Sequence, residues 1–244
     1  IKYSLAMVSG KGGVGKSSTT ALLACALNKA GLKVGILDAD LTGPSIPKAF
    51  GLHGKAKADD DGLIPMESKE GIKMMSINFL LDGEDSPVAW RGPVISGVLN
   101  QFFTEVNWGK LDVLLIDMPP GTSDVFLTVF NMMPVDDIVT VSTPSELVGM
   151  IVGKAANLAN TMKKNILALI ENMAYFECDE CNKKHYIFGN PAGGDICKKY
   201  GIKTLAQLPL DPKLAEYIDA GKVEDYDTKG ALDKVVKIIK GQLS

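Results

Sequence analysis

Much that would point to other classes of protein is missing from this chain of 244 residues. No apolar run approaches the roughly 20 residues of a membrane-spanning helix. The opening stretch, Ile1 to Val8, is too short and too lightly charged for a secretory signal. Formal net charge is −3, so no overall basic field exists to hold nucleic acid. Lysine pairs such as Lys198-Lys199 read as solvated surface. Neither internal repeats nor low-complexity tracts occur, and no stretch reads as a domain linker. Cysteine is scarce, with Cys25, Cys178, Cys181 and Cys197 the whole complement. Two of these form a Cys-x-x-Cys pair, which in an intracellular protein suggests metal or redox chemistry before a structural disulfide. The cytoplasm is the expected location. The chain opens without an initiating Met, so residues upstream are expected.

What is present is a regular alternation of strand-like and helix-like segments. Strands are predicted at Tyr3 to Val8, Lys33 to Leu37, Asp112 to Ile116, Asp137 to Val141, Asn165 to Ile170 and Lys203 to Leu205. Helical patterns fall at Lys16 to Ala30, Pro93 to Thr104, Val125 to Met132, Glu146 to Met162, Ala192 to Tyr200, Lys213 to Ala220 and Ala231 to Ile239. Gly31 sits where the first helix should close. The strands are apolar without polar alternation, which implies a sheet covered on both faces. With helical crossovers this predicts an α/β fold, a doubly wound, mostly parallel three-layer sheet within a single domain over residues 1–244. Such sheets bind ligands beyond the carboxyl ends of their strands. Two stretches break the rhythm. Gly51 to Asp85 reads as an excursion with a hairpin, with Ile72 to Phe79 as a strand within it. Asn172 to Pro191 reads as a loop carrying the cysteine pair.

The strongest motif is Gly10-Lys11-Gly12-Gly13-Val14-Gly15-Lys16-Ser17, which meets G-x-x-x-x-G-K-[ST] between a strand and a helix. Glycines let successive backbone N–H groups curl toward phosphate oxygens, and the helix that follows adds its positive end. Lys16 supplies charge to the β- and γ-phosphates, and the Ser17 hydroxyl, with Ser18 beside it, suits Mg²⁺. This is a P-loop, and it predicts nucleotide binding and hydrolysis. A second lysine, Lys11, would crowd the same triphosphate; a lysine that reaches a partner subunit's nucleotide, as an arginine finger does, is the better use. Asp38 and Asp40 follow the second strand on one side of the extended chain. Asp117 ends the apolar run from Val113 in the Walker-B manner. One carboxylate can support Mg²⁺ and another can orient the attacking water. Pro119-Pro120-Gly121 then makes a stiff turn with a permissive end, suited to a loop that responds to the γ-phosphate.

At these residues the sequence resembles the deviant Walker A class that includes MinD, ParA and the nitrogenase iron protein, with Lys11 as the signature lysine. Within that class it resembles the Mrp/ApbC-type iron–sulfur cluster carriers. The resemblance rests on Asp38-Ala39-Asp40-Leu41-Thr42-Gly43-Pro44-Ser45-Ile46-Pro47, Trp90-Arg91-Gly92-Pro93, Asp117-Met118-Pro119-Pro120-Gly121-Thr122-Ser123-Asp124 and Glu171-Asn172-Met173, with Cys178-x-x-Cys181 following. It implies an ATP-dependent homodimer that holds a [4Fe-4S] cluster between subunits and delivers it to apo-proteins, without nucleic acid or membrane as partner. It further implies that Asn172 reads adenine, with the Pro209-Leu210-Asp211-Pro212 loop beside the base. Asp40 would position water, and Asp38 and Asp117 would serve magnesium. Many relatives carry an additional N-terminal domain or cysteine cluster, and this sequence shows neither.

Two thiolates from Cys178 and Cys181 are too few for a tetrahedral Zn²⁺ or a four-cysteine cluster. Either His185 or another group joins them, or a second subunit supplies the same pair across a two-fold axis. Structural zinc and a redox dithiol are the rival uses. Cys25 and Cys197, in apolar helices, are expected in the core. A MinD/ParA-like positioning switch, a reductase and a small-molecule kinase are the competing functions. The switch would need a membrane helix or a basic face; the amphipathic C-terminal segment lacks a large aromatic anchor and reads as a packing helix.

Overall fold

The computed structural model describes residues 1–40, 45–60, 62–80, 92–121, 130–144 and 148–243. The sequence reading at Leu41–Pro44, Trp90–Arg91, Thr122–Asp124 and Glu146, and most of the predicted helix from Val125, lies outside them.

Five central strands read as buried along their whole length or nearly so: β1 (Tyr3–Ser9), β2 (Val34–Asp38), β6 (Lys73–Met75), β7 (Val113–Asp117) and β8 (Asp137–Ser142). They run parallel in the order β8-β1-β7-β2-β6. β9 (Asn165–Glu177) adds parallel beside β8, and β11 (Thr204–Pro209) parallel beside β9. Antiparallel edges complete the nine-stranded sheet: β5 (Met66–Glu67) on β6, and β10 (Lys184–His185) on the far end of β9. A separate two-stranded hairpin pairs β3 (Lys57–Asp59) with β4 (Gly62–Ile64).

Burial on both faces explains the unbroken apolar strands. Along β9, Ala168 and Ile170 face the main core, whereas Leu169 between them joins a second cluster with Val152, Ile196, Cys197 and Ile202. Successive strand residues point to opposite sides, so each side needs its own cover. The second cluster is closed by α4 (Val148–Thr161) and α5 (Gly193–Tyr200). The main core takes α1 (Lys16–Lys29), through Leu22, Leu23 and Leu27, and α7 (Asp233–Gln242), through Val235, Val236 and Ile239. The remaining helices are α2 (Ile46–Ala49), α3 (Gly92–Thr104) and α6 (Pro212–Asp219). None of the described helices is long and apolar enough to cross a membrane.

Two expectations need correction. The Ile72–Phe79 segment is not part of an excursion: Lys73–Met75 joins the main sheet beside β2, and the hairpin is β3–β4 upstream. Its apolar character came from central burial. The fifth predicted strand also does not stop at Ile170. It runs thirteen residues to Glu177, and the cysteine pair forms the tip of a β9–β10 hairpin rather than a loop.

Candidate functional site

The P-loop connects β1 to α1 at the carboxyl end of the sheet. Gly13 and Gly15 take positive φ, +79° and +76°, which an L-residue with a side chain adopts only at a cost. Gly15 is also the N-cap of α1 and offers no side-chain cap, so the helix begins with open N–H groups. No acidic residue occupies its first turn. Gly12 and Gly13 have free space where a side chain would stand, leaving their backbone approachable. Gly10 is half-buried, Lys11 exposed, Val14 buried, and Ser17 and Ser18 half-buried.

Beneath the loop lies a compact charged centre. Lys16 is 6% exposed, and its Nζ sits 2.8 Å from Asp117 Oδ2 and 4.0 Å from Asp40 Oδ2. Among the described residues the Nζ has no hydrogen bond of good angle, so its close contact with Asp117 is an ion pair. Asp117, fully buried, accepts from Ser17 Oγ at 2.6 Å and from Thr20 Oγ1 at 2.7 Å. Asp38 lies opposite Asp117 in the β2–β7 register. Its carboxylate accepts from Ser76 Oγ at 3.0 Å and from the Asp40 backbone at 3.3 Å. Complete burial, then the Asp117 charge, push its pKa up to about 8, against the opposing pull of Lys16 and Ser76. Three carboxylates thus surround one lysine. The arrangement fits a triphosphate on the open amides and Lys16, with a divalent cation held through Ser17 and the aspartates.

β9 brings in the next two groups. Between Gln207/Glu171 and Pro209/Tyr175 the β11–β9 register slips, so β9 bulges across Asn172 to Ala174. Met173 there has φ +55°. The bulge turns Asn172 toward the P-loop, where its Nδ2 donates to the Val14 carbonyl at 2.9 Å. A side chain on Gly15 would collide with that same amide. Glu171, fully buried, accepts from the Gly193 N–H at 2.8 Å and from Gln207 Nε2 at 2.9 Å, tying β9 to the start of α5 and to β11. Downstream, the Leu210 N–H donates to the Tyr175 carbonyl at 2.7 Å, holding the Pro209–Pro212 turn against β9. Asp211 caps α6 and accepts from Tyr226 Oη at 2.8 Å.

Past Tyr175, the last residue it pairs with β11, the strand pairs with β10 among the described residues. Cys178 and Cys181 stand at the tip, closed by the Cys178 N–H to Lys183 carbonyl bond at 3.0 Å and the Asn182 N–H to Cys178 carbonyl bond at 2.8 Å. Hydrogen bonds from the Cys181 backbone, then from the Glu180 backbone, hold the Cys178 thiol below its ordinary pKa. Burial does the reverse elsewhere, pushing Cys25 to about 12 and Cys197 to about 11. The Cys178 thiol is thereby set apart from the two core thiols. All four cysteines are free. Among the described residues no cluster of three or more His, Cys, Asp or Glu could hold a metal ion, so His185 does not complete a site with the pair.

The structure brings Lys16, Ser17, Asp38, Asp40, Asp117 and Asn172 together, leaves Lys11 exposed, and holds the cysteine pair apart in the turn between β9 and β10. Thr20, Ser76, Glu171 and Gln207 were not anticipated as contributors. Thr20 follows Ser17 by three positions on one helix, a readable spacing. Ser76 lies 38 residues from Asp38, and nothing local links the two.

Residues 1–243 match the family model of the ParA group described as the NUBPL iron-transfer P-loop NTPase. The iron–sulfur cluster carrier protein of Clostridium perfringens is 44% identical, over 97% of this chain and 86% of its own. That of Saccharolobus solfataricus is also 44% identical, over 98% and 85%. A nucleotide-binding protein from Archaeoglobus fulgidus, solved with ADP and with Co found in it, superposes with TM-score 0.84 at 46% identity, covering 92% of this chain and 88% of its own. MinD from Aquifex aeolicus reaches TM-score 0.68 at 22% identity over 98% and 97%, a likeness of fold alone.

Proposed function

This chain belongs to the NUBPL iron-transfer P-loop NTPase family, and from that premise we propose that it binds and hydrolyses ATP and carries a [4Fe-4S] cluster to apo-proteins as a homodimer. One observation carries the reading. A single strand, β9, bears Asn172 against the P-loop and runs on to Glu177, where the half-buried Cys178 follows at the hairpin tip. Nucleotide site and thiolates share one covalent lever, so a change at one end has a short mechanical route to the other.

In this reading the open amides of Gly12 to Lys16 and the Lys16 ammonium bind the triphosphate. Bound Mg²⁺, held through Ser17 with Asp38 and Asp117 behind it, would neutralise charge on the β- and γ-phosphates. Asp40 orients a water for in-line attack; one P–O bond forms at the γ-phosphorus while its bond to ADP breaks. Lys11, exposed and outside its own site, serves the partner's nucleotide. Asn172 exchanges its bond to the Val14 carbonyl for the adenine edge, with Pro209 beside the base. Each subunit contributes Cys178 and Cys181, and the two pairs supply the four thiolates of the cluster, which is cargo. The apolar face of α7 lies in the core through Val235 and Ile239, which removes that helix as the membrane anchor a positioning switch would use.

The test is anaerobic reconstitution with iron and sulfide, followed by transfer to an apo-acceptor. About four iron and four sulfide per dimer are expected, lost in Cys178→Ala/Cys181→Ala. Lys11→Ala should fold and bind nucleotide normally yet hydrolyse it at least tenfold more slowly. Tight zinc with no cluster in the wild type would replace the carrier reading with a structural metal site.

A further inference from the structure

Seven large hydrophobic side chains are conspicuously exposed among the described residues, and three are consecutive: Tyr186, Ile187 and Phe188, at 47, 59 and 49%. They follow β10 directly. A turn closed from the Gly189 N–H to the Tyr186 carbonyl at 3.3 Å presents them to solvent, with Gly189 at φ +99°. A consecutive exposed apolar run of this kind marks an interaction surface.

We propose that Tyr186-Ile187-Phe188 is the apolar contact through which a second copy of this chain docks, independently of any metal; the assignment rests on the reading that the cysteine pair is shared between subunits. Two observations fix the occupant. First, one chain offers Cys178 and Cys181 alone, because no further ligand gathers beside them among the described residues. Any site of four thiolates is incomplete without a second pair. Second, the β9–β10 register pairs Lys184 with Glu177 and His185 with Phe176. Tyr186 is therefore only about three residues, roughly 10 Å along the strand, from the level of Cys178. A stable interface covers about 800 Å² on each partner, a disc roughly 30 Å across. Two hairpins that bring their thiolates to one metal must bury the apolar run within that disc.

Sedimentation equilibrium of the full chain tests this, metal-free and with Zn²⁺ as the probe, in Mg²⁺ and a non-hydrolysable ATP analogue. The variants are Ile187→Ser/Phe188→Ser and Cys178→Ala/Cys181→Ala. Because the run is exposed, the first should keep the wild-type circular dichroism and nucleotide-induced thermal shift. Its dimer dissociation constant should rise at least tenfold in both conditions. The cysteine variant should keep the metal-free wild-type constant while losing zinc. An unchanged constant in the Ile187→Ser/Phe188→Ser protein, or a wild type that is monomeric throughout, overturns the proposal. If that variant dimerises normally but transfers cluster slowly to an acceptor, the run is a recipient surface and the proposal is again overturned. A wild type that dimerises through the run yet binds neither zinc nor iron upholds the contact and sinks the carrier reading instead.

Discussion

Asp38→Asn should stabilise the nucleotide-free protein, and increasingly so as pH rises. Native Asp38 keeps its proton up to about pH 8, because burial and the Asp117 charge oppose ionisation. In the unfolded chain an aspartate ionises near pH 4. Between those values the folded state binds one more proton than the unfolded state, so stability contributed at this position falls as pH rises. The slope approaches about 1.4 kcal/mol per unit, which over pH 6 to 8 gives a ceiling of about 3 kcal/mol. Half-ionisation near pH 8 brings this to about 2 kcal/mol. Asparagine has the shape of the protonated acid and can still accept the Asp40 backbone bond, but it has no proton to lose. The gap between variant and wild type should therefore widen by about 2 kcal/mol from pH 6 to pH 8, roughly 4–8 °C in melting temperature for a chain of this size. Thermal melts in chelator without nucleotide measure it. Magnesium and nucleotide should shrink the gap, since the ionised carboxylate is then the useful form. Melting curves of the two proteins that stay parallel across pH would refute the reasoning.

Other perturbations follow from the same geometry. Gly15→Ala places a side chain at positive φ against the Asn172 amide. We expect a loss of about 2–4 kcal/mol in urea unfolding, from the left-handed backbone and the displaced hydrogen bond, together with loss of the thermal shift that nucleotide gives the wild type. Glu171→Ala leaves the buried Gly193 N–H and the Gln207 amide without their acceptor; about 2–4 kcal/mol should be lost, with Glu171→Gln milder, read by the urea midpoint. In metal-free protein near pH 7, iodoacetamide should label Cys178 well before Cys25 or Cys197. Its thiol is held low by backbone donors, while burial holds theirs high. Peptide mass mapping over time would show the order.

Most of the scaffold was legible because its signals are local. A glycine loop between a strand and a helix, and apolar strands ending in aspartate, state their geometry within a few residues of sequence. Cys25 was placed in the core because its neighbours from Ala21 to Leu27 are all apolar. Where the reading failed, the deciding partner was distant. Lys73–Met75 looked like part of a polar excursion because the strand it pairs with, β2, lies some forty residues earlier. β9 was cut short at Ile170 because Glu171-Asn172 breaks the apolar run. The structure keeps the strand going by giving Glu171 two buried donors and by absorbing Asn172 and Met173 in a bulge. Ser76 on Asp38 is a product of sheet order alone.

The thirteen residues of β9 span two regimes of lifetime. Its amides up to Glu171 are gripped between β8 and β11 and should exchange with deuterium only when the whole molecule unfolds. From Phe176 outward the one paired strand among the described residues is two residues long, a ribbon too short to persist unaided. Those amides should exchange through brief local openings. The fraying end can thus be taken apart and remade many times within a single folded lifetime of the core, so substitutions at the cysteine tip should cost the core almost no stability.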